Sequence, residues 1–472
     1  MLGLFNTLNL GARAMTANQV GVEVTGQNLA NANNPAYTRQ RVVLQTTTPT
    51  PSNIGMEGTG VEATSIQQVS DQLLNSQIQS EASVGGYWNS QQSALQNAQT
   101  QLDEFLNLNS TSGSSSSSGT ATGLSSQLNN LFNAFQSLAT SPTDSSTRVD
   151  LANSAQSLAQ SFNQASQNLS ALSSQLNSSV TSGVASANQL LSQIASLNSQ
   201  IAKATATGGT ANDLMDSREQ DLENLSQLVN LQTSANPDNT ITVSIGGQQL
   251  VSGGNLTDTL ATYTNASGNL LVQTATGAQP LTLSGGSIQG TIDARDGSLA
   301  TLQNNLDTMA SSLITQVNGI YQNGYDLNGN TGQNFFTGNS AATIGVNQNL
   351  ANDPSQVQAA GTPGAAGDNT VALQLAQLGA QNIAALGNQT FSGAYAAGVQ
   401  NFGNALANAN DQVDNYNSVN TMLLNQRDSE SGVSLEEEAS NLITYQMAYE
   451  ASSKIITTVD DMLQTVVSLK AS

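Results

Sequence analysis

Both ends of the chain carry apolar residues at alternating three- and four-residue spacings. Near the N-terminus the positions are Phe5, Leu8, Ala12, Met15, Gln19, Val22, Gly26 and Leu29, six of the eight apolar; near the C-terminus they are Leu442, Tyr445, Tyr449, Ser452, Ile456, Val459, Leu463 and Val466, seven of the eight apolar or aromatic. Each set lies along one narrow face of an α-helix, the stripe of a coiled coil. The C-terminal helix also has start signals. Ser434 and Glu437 form the Ser-x-x-Glu capping pattern, and Glu436, Glu437 and Glu438 stand at its positive end, outside the stripe, with Lys470 near the negative end.

Between the ends, Leu151, Ala155, Leu158, Phe162, Ala165, Leu169, Leu172 and Leu176 repeat in an unbroken 4-3 pattern. The spacing widens to 4-4 through Val180 and Val184, then resumes at Ala187, Leu191 and Ile194, which is a stutter. One helix of roughly 55 residues, about 80 Å long, is predicted. Its partners are helices near 70–108, 124–140 and 213–230, giving an elongated bundle. The Ser/Gly-rich run Asn109–Gly123 reads as a loop. From Thr240 to Thr291 the period falls to two, with strands expected at 241–245, 249–251, 270–272 and 281–283. A helix returns at 297–323. Residues 324–369 are Gly-, Asn- and Ala-rich and are expected to be loops, with a short strand at 342–346. Helices resume from Thr370. The fold class is therefore mainly α with a small antiparallel β part.

Composition then removes whole classes of function. The chain of 472 residues has no Cys and no His, so thiol chemistry, imidazole ligands and Ser-His-Asp triads are absent. Ten basic residues against 32 acids argue against binding nucleic acid. No apolar run reaches the roughly 18 residues of a membrane span. The start, Met1 to Thr7, lacks the basic region of a signal peptide, so no cleaved signal is expected. Asp326-Leu327-Asn328-Gly329-Asn330 begins like a calcium loop, but Thr331 and Thr337 hold the positions that need Gly and Glu, so a solvated turn is expected and no metal. Asp460 and Asp461 point in different directions on a helix. Asp213 suits a helix N-cap, and Asp216 suits a partner for Arg218 or another scarce cation. No catalytic pair, and no cofactor, is predicted.

Residues 27–40, Gln-Asn-Leu-Ala-Asn-Ala-Asn-Asn-Pro-Ala-Tyr-Thr-Arg-Gln, resemble the N-terminal signature of bacterial flagellar rod, hook and hook-associated axial proteins through Asn28, Ala30, Asn31, Pro35, Tyr37 and Arg39, with Ala36 where Gly is usual. Gly432 to Glu438, Tyr445-Gln446-x-Ala448-Tyr449-x-Ala451 and Asp461-Met462-Leu463 resemble the C-terminal signature. Asp213-Leu214-Met215-Asp216-Ser217-Arg218-Glu219 and the run Asn318, Gly324, Asp326, Leu327, Gly329, Gly332, Phe335 and Phe336 are similar to the hook-associated branch.

The resemblance implies a structural, non-enzymatic, extracellular flagellar subunit that joins hook to filament, exported through the flagellar type III route without a cleaved signal. It implies terminal segments disordered in the monomer that pair as a coiled coil on assembly. Implied partners are copies of the same chain in a ring, the hook protein, a second junction protein, and an export chaperone at the C-terminal region. Three domains follow: residues 1–60 with 430–472 as a polymerisation domain; 61–240, 296–323 and 370–429 as a helical bundle, with 241–295 as its β element; and 324–369 where a larger outer domain is absent or vestigial. The expected assembly interface is Phe5, Leu8, Ala12, Met15, Val22, Asn28, Leu29, Asn31, Pro35, Tyr37 and Arg39 with Leu442, Tyr445, Tyr449, Ile456, Val459, Leu463 and Val466. The alternatives are a hook or distal rod protein, a secreted adhesin, or a rod-associated peptidoglycan hydrolase.

Overall fold

The computed structural model describes residues 2–52, 55–106 and 123–471. The chain opens with helix α1 (Leu2–Ala30) and passes into an extended collar. There β1 (Gln40–Thr46) pairs antiparallel with β4 (Val61–Gln68), and a small hairpin of β2 (Thr50–Ser52) and β3 (Gly55–Glu57) lies between them. Four helices follow: α2 (Gln72–Leu106), α3 (Leu124–Thr140), α4 (Ser145–Ala206) and α5 (Asn212–Leu228). The predicted Ser/Gly-rich loop lies outside the described residues except for Gly123.

Helix α4 organises the body. Its 62 residues span about 93 Å, longer than the sequence pattern predicts, because Asp144 caps it through the Ser146 amide at 3.1 Å and the helix runs on past Ile194. Two hydrophobic cores lie along it. Leu151 through Leu176 belong to a core shared with α2, α3 and later elements, whereas Val180 through Ile194 belong to a second core with α5 and the β part. The 4-4 stutter at Leu176, Val180 and Val184 therefore falls where the helix exchanges one set of partners for the other. From Leu151 to Ala202 there is no charged residue, so no surface ion pair supports the helix there. Hydroxyls of Ser161, Ser174, Ser178, Ser179 and Thr181 instead bond to the carbonyl one turn back. Its stability rests on burial. Phe162, fully buried, is expected to cost about 3–5 kcal/mol when changed to Ala; a urea-unfolding loss below about 1 kcal/mol contradicts this packing.

The β part has more strands than its sequence announces. A four-stranded antiparallel sheet runs β5 (Leu231–Ala235), β6 (Ile241–Ile245), β7 (Gln248–Ser252) and β8 (Asn255–Leu256), beside a hairpin of β9 (Leu260–Thr264) and β10 (Leu270–Thr274). Residues 281–283 form no strand; the chain there makes a single bridge, Gln273 to Pro280, and sends Leu283 into the second core. Strands β5 and β9 were not legible because their solvent sides are Thr, Ser and Gln without clear alternation.

Helix α6 (Gly286–Asp293), a π-helical stretch (Ala294–Leu299) and α7 (Ala300–Tyr321) run on continuously. The expectation that 324–369 is loop with few apolar anchors is corrected, apart from the short strand expected at 342–346, which is found at Gly345–Val346. Phe335, Phe336, Ala341, Ile344, Leu350 and Val357 are buried in the first core, and the segment holds β11 (Phe336–Thr337) paired with β12 (Gly345–Val346), then α8 (Gln348–Asn352). Its anchors are irregularly spaced, so no period reveals them. Asparagine side chains take the place of neighbouring strands. Asn318 Oδ1 accepts from the Phe335 and Phe336 amides at 2.9 Å each, and its Nδ2 donates to the Phe336 carbonyl at 2.8 Å. The Asp326 turn exists, closed by the Asn328 and Asn330 amides, but Asp326 is buried rather than solvated. Arg148, also buried, ties this segment to the start of α4 by donating to the Pro142 and Val357 carbonyls.

Helices α9 (Thr370–Leu378) and α10 (Phe391–Ser431) complete the body, and α11 (Leu435–Ala471) returns alongside α1. Among the described residues no helix is long and apolar enough to cross a membrane.

Candidate functional site: the terminal helix pair and its clamp

Helices α1 and α11 lie antiparallel. Gly11 faces Ile456 and Ser452, Gly21 faces the Tyr445 ring, and Asn28 reaches Glu438. The pairing joins the two ends of one chain. Most of the C-terminal stripe supplies the seam. Val459 is buried, and Leu442, Tyr445, Ile456 and Leu463 are half-buried, while Tyr449 and Val466 are exposed.

On α1 the buried positions are Gly11, Ala17, Gly21, Val24, Thr25 and Asn28. Of the stripe read from the sequence, Leu8, Ala12, Met15 and Val22 are half-buried, and Phe5 and Leu29 are exposed. Counting apolar residues passes over the glycines, yet these set the helix separation. A Cβ on Gly21 would stand 2.6 Å from the Tyr445 ring, and one on Gly11 would stand 3.0 Å from Ile456. Two glycines ten residues apart inside an apolar helix were the available signal.

At the inner end of the pair a polar clamp joins α1, the collar, α11 and α5. Asn28, 1% exposed, uses its whole amide. Its Nδ2 donates to the Gln40 carbonyl at 2.8 Å and to Glu438 Oε2 at 3.0 Å, and its Oδ1 accepts from the Tyr37 hydroxyl at 2.8 Å and the Gln40 amide at 3.0 Å. Burial, then the charges of Asp213, Asp216 and Glu438, push the Tyr37 hydroxyl well above its usual range, so it stays a donor. Arg39 donates from Nε to Glu438 Oε1 at 2.9 Å and from Nη2 to Glu437 Oε1 at 2.7 Å, and its backbone amide donates to the Ser431 carbonyl. These bonds to Glu437 and Glu438 favour its charged form.

The capping box is therefore half used for capping. Ser434 Oγ accepts from the Glu437 amide at 3.4 Å, while the Glu437 carboxylate goes to Arg39. Glu438, expected to stand outside the seam, is 2% exposed within it. Asn31 and Pro35 shape the turn between α1 and the collar. The Asn31 amide donates to the Gln27 carbonyl at 3.1 Å, and Pro35 is the second residue of the turn closed by the Tyr37 amide on the Asn34 carbonyl.

The same clamp reaches the body through α5. Asp213 does not cap α5, whose N-cap is Ala211. It accepts from Gln40 Nε2 at 3.0 Å and Gln27 Nε2 at 3.2 Å. Asp216 does not pair with Arg218. It accepts from the Thr38 amide at 3.1 Å and Gln68 Nε2 at 2.8 Å, and burial raises its carboxyl to about 6. Arg218 turns to Asn198 Oδ1 and the Asn239 carbonyl instead. Sequence alone offered two acids three apart on a helix; their partners lie over 140 residues away in the chain, where no local rule reaches.

Comparison with known proteins follows this geometry. Residues 114–336 match the flagellar hook-associated protein FlgK helical domain, and residues 425–469, covering most of α11, match the flagellar basal body rod FlgEFG protein C-terminal family. The flagellar hook-associated protein 1 of Bacillus subtilis is 30% identical over 99% of both chains, and that of Escherichia coli is 23% identical over 98% of this chain and 99% of its own. The solved structure of the flagellar hook junction protein FlgK from Burkholderia pseudomallei superposes with a TM-score of 0.62 at 18% identity, covering 75% of this chain and all of that one, which shows a shared fold. On the full-length similarity to the Bacillus protein, this chain belongs to the flagellar hook-associated protein 1 family.

Proposed function

We infer that this protein is a structural subunit of the bacterial flagellum that joins the hook to the filament. The observation that carries the reading is full-length kinship with hook-associated protein 1. The helical-domain match narrows it further, because the C-terminal signature alone is shared with rod proteins. In this reading copies of the chain assemble as a ring in the axial structure, between the hook protein and a second junction protein, outside the cell. Export without a cleaved signal, and a chaperone at the C-terminal region before export, belong to the same reading.

The assembly interface divides in two. Leu8, Ala12, Met15, Val22, Leu442, Tyr445, Ile456, Val459 and Leu463 serve the seam within one chain. Phe5, Leu29, Tyr449 and Val466, together with the exposed Ile443, Met447 and Met462 of α11, are the residues a neighbouring copy would cover. The clamp residues Asn28, Asn31, Pro35, Tyr37 and Arg39 set the angle at which the pair leaves the body.

The polymerisation domain at 1–60 and 430–472, the bundle with its β element, and the lack of an outer domain are supported by the arrangement of helices and cores. The alignments with the Escherichia coli and Salmonella proteins run over 564 and 572 positions, against 472 residues here, so those relatives carry segments that this chain lacks. A strain without this protein should make hooks that bear no filaments and shed filament protein into the medium. Filaments still attached to hooks in electron micrographs would refute the junction role.

A further inference from the structure

A polar belt separates the two cores of the body. On α4 it falls between Leu176, in the first core, and Val180, in the second. Beside it a cleft of about 530 Å³ is lined by Ser90, Ser93 and Asn97 of α2 with Gln175 and Ser179 of α4. On another face of α4 a cleft of about 470 Å³ is lined by Ser173, Ser174 and Asn177 with Asn269 and Arg295. The run from α6 to α7 crosses the same boundary. Ile292 lies in the second core and Ala294 in the first, and the π-helical stretch begins at that point. Hydrogen bonds span the belt: Arg295 Nη1 donates to Asn177 Oδ1 and to the Leu270 carbonyl, and Ser90 Oγ donates to the Ser287 carbonyl at 2.9 Å. Where α2 passes α5 and α6, backbone meets backbone. A Cβ on Gly86 would stand 2.0 Å from the Gln227 carbonyl oxygen, and one on Gly290 would stand 2.2 Å from that of Tyr87. Contacts of this kind bury little apolar side chain.

The two sides differ in chain path and in packing. Every member of the second core lies between Val180 and Ile292, one unbroken stretch, whereas the first core joins residues 94–176 to residues 294–409. The first core is built around rings, among them Phe135, Phe162, Tyr321, Phe335, Phe336 and Phe391. Among the described residues the second core has only Val, Ile, Leu and Ala.

We propose that residues 177–293 form a separate cooperative unit, which opens on its own before the first core does and releases the collar when it opens. Its apolar contacts close within one stretch of chain, and the ties across the belt are polar, so losing one core takes little burial from the other. Aromatic side chains bury the most area per residue, so the core without rings yields first. Asp213 and Asp216, which hold Gln40, Thr38 and Gln68 of the collar, ride on α5 of this unit. Opening therefore frees the collar from α5 and frays α4 back to its stutter, while the first core keeps the rest of the body folded.

The test is native-state hydrogen exchange by mass spectrometry on the full chain over a urea series. Two peptides of α4 itself, 155–172 and 184–198, are compared with 241–251 of the sheet. The expected result is that 184–198 and 241–251 lose protection together, at a urea concentration where 155–172 still exchanges roughly tenfold more slowly. Ile245→Ala, in the second core, should speed exchange of 184–198 and 241–251 by roughly thirtyfold and leave 155–172 within about twofold of the wild type. Phe162→Ala, in the first core, should speed 155–172 and leave 241–251 within about twofold. Loss of protection by all three peptides at one urea concentration overturns the proposal, and the wild type decides this even where a variant fails to fold. So does an Ile245→Ala variant that speeds 155–172 as much as 241–251, or opening at 155–172 ahead of 241–251.

Discussion

Gly21→Leu is expected to abolish incorporation into an axial assembly while the helical body unfolds at its usual denaturant concentration. The Tyr445 ring already occupies the space a Cβ would take, at 2.6 Å, so a larger side chain forces the two helices apart along the seam. Even Gly21→Ala should cost the pair about 1–3 kcal/mol, the usual penalty for overpacking. The ring is the obstacle, so Gly21→Ala with Tyr445→Ala should recover part of the loss. Sedimentation of assembled particles and motility of a complemented strain would read the effect. Normal assembly by Gly21→Leu would mean that the antiparallel seam is not what the axial structure uses.

Arg39→Ala is expected to be the most damaging single change in the clamp. It leaves Glu438, 2% exposed, without its cation, and removing one partner of a buried pair costs about 3–5 kcal/mol. Glu437 matters less, because its side chain is 56% exposed and water replaces the lost bond. Adding Glu438→Gln to Arg39→Ala should restore much of the stability, since the amide buries no charge and still accepts from Asn28. Thermal unfolding followed by protease cutting near residues 31–40 would locate the damage. Equal losses in the single and double variants would assign the effect to lost packing of the arginine stem.

The helices were legible because they obey a period. Leu151 to Ile194 spelled out α4 and its stutter, and the terminal stripes gave α1 and α11. What failed depended on distant partners or on absent side chains. Glycines 11 and 21 carry no hydrophobic signal, so the α1 seam read from Phe5 and Leu29 missed its closest contacts. Phe335, Phe336 and Leu350 lack a period, so a packed segment looked like loop. Asp216 was assigned to Arg218 because that cation is near in sequence, whereas the fold delivers Thr38 and Gln68. The signature around Asn28 and Tyr37 marked the clamp, yet only the structure explains it: one amide satisfies four groups from three residues, Tyr37, Gln40 and Glu438.

The clamp also fixes an order of events. Asn28 and Glu438 stand 410 residues apart, so no contact across the terminal seam exists until nearly the whole chain is available. Closing so long a loop from a disordered chain is entropically unfavourable and slow, and the folded body removes most of that cost by bringing the two strands of chain to one end. A chain that emerges from either end is therefore expected to build its body first and to close its terminal helix pair last. Truncation ahead of Glu438 removes every α11 partner of α1, so a chain cut short there would keep its folded body but leave the face of α1 that packs on Tyr445 and Ile456 uncovered.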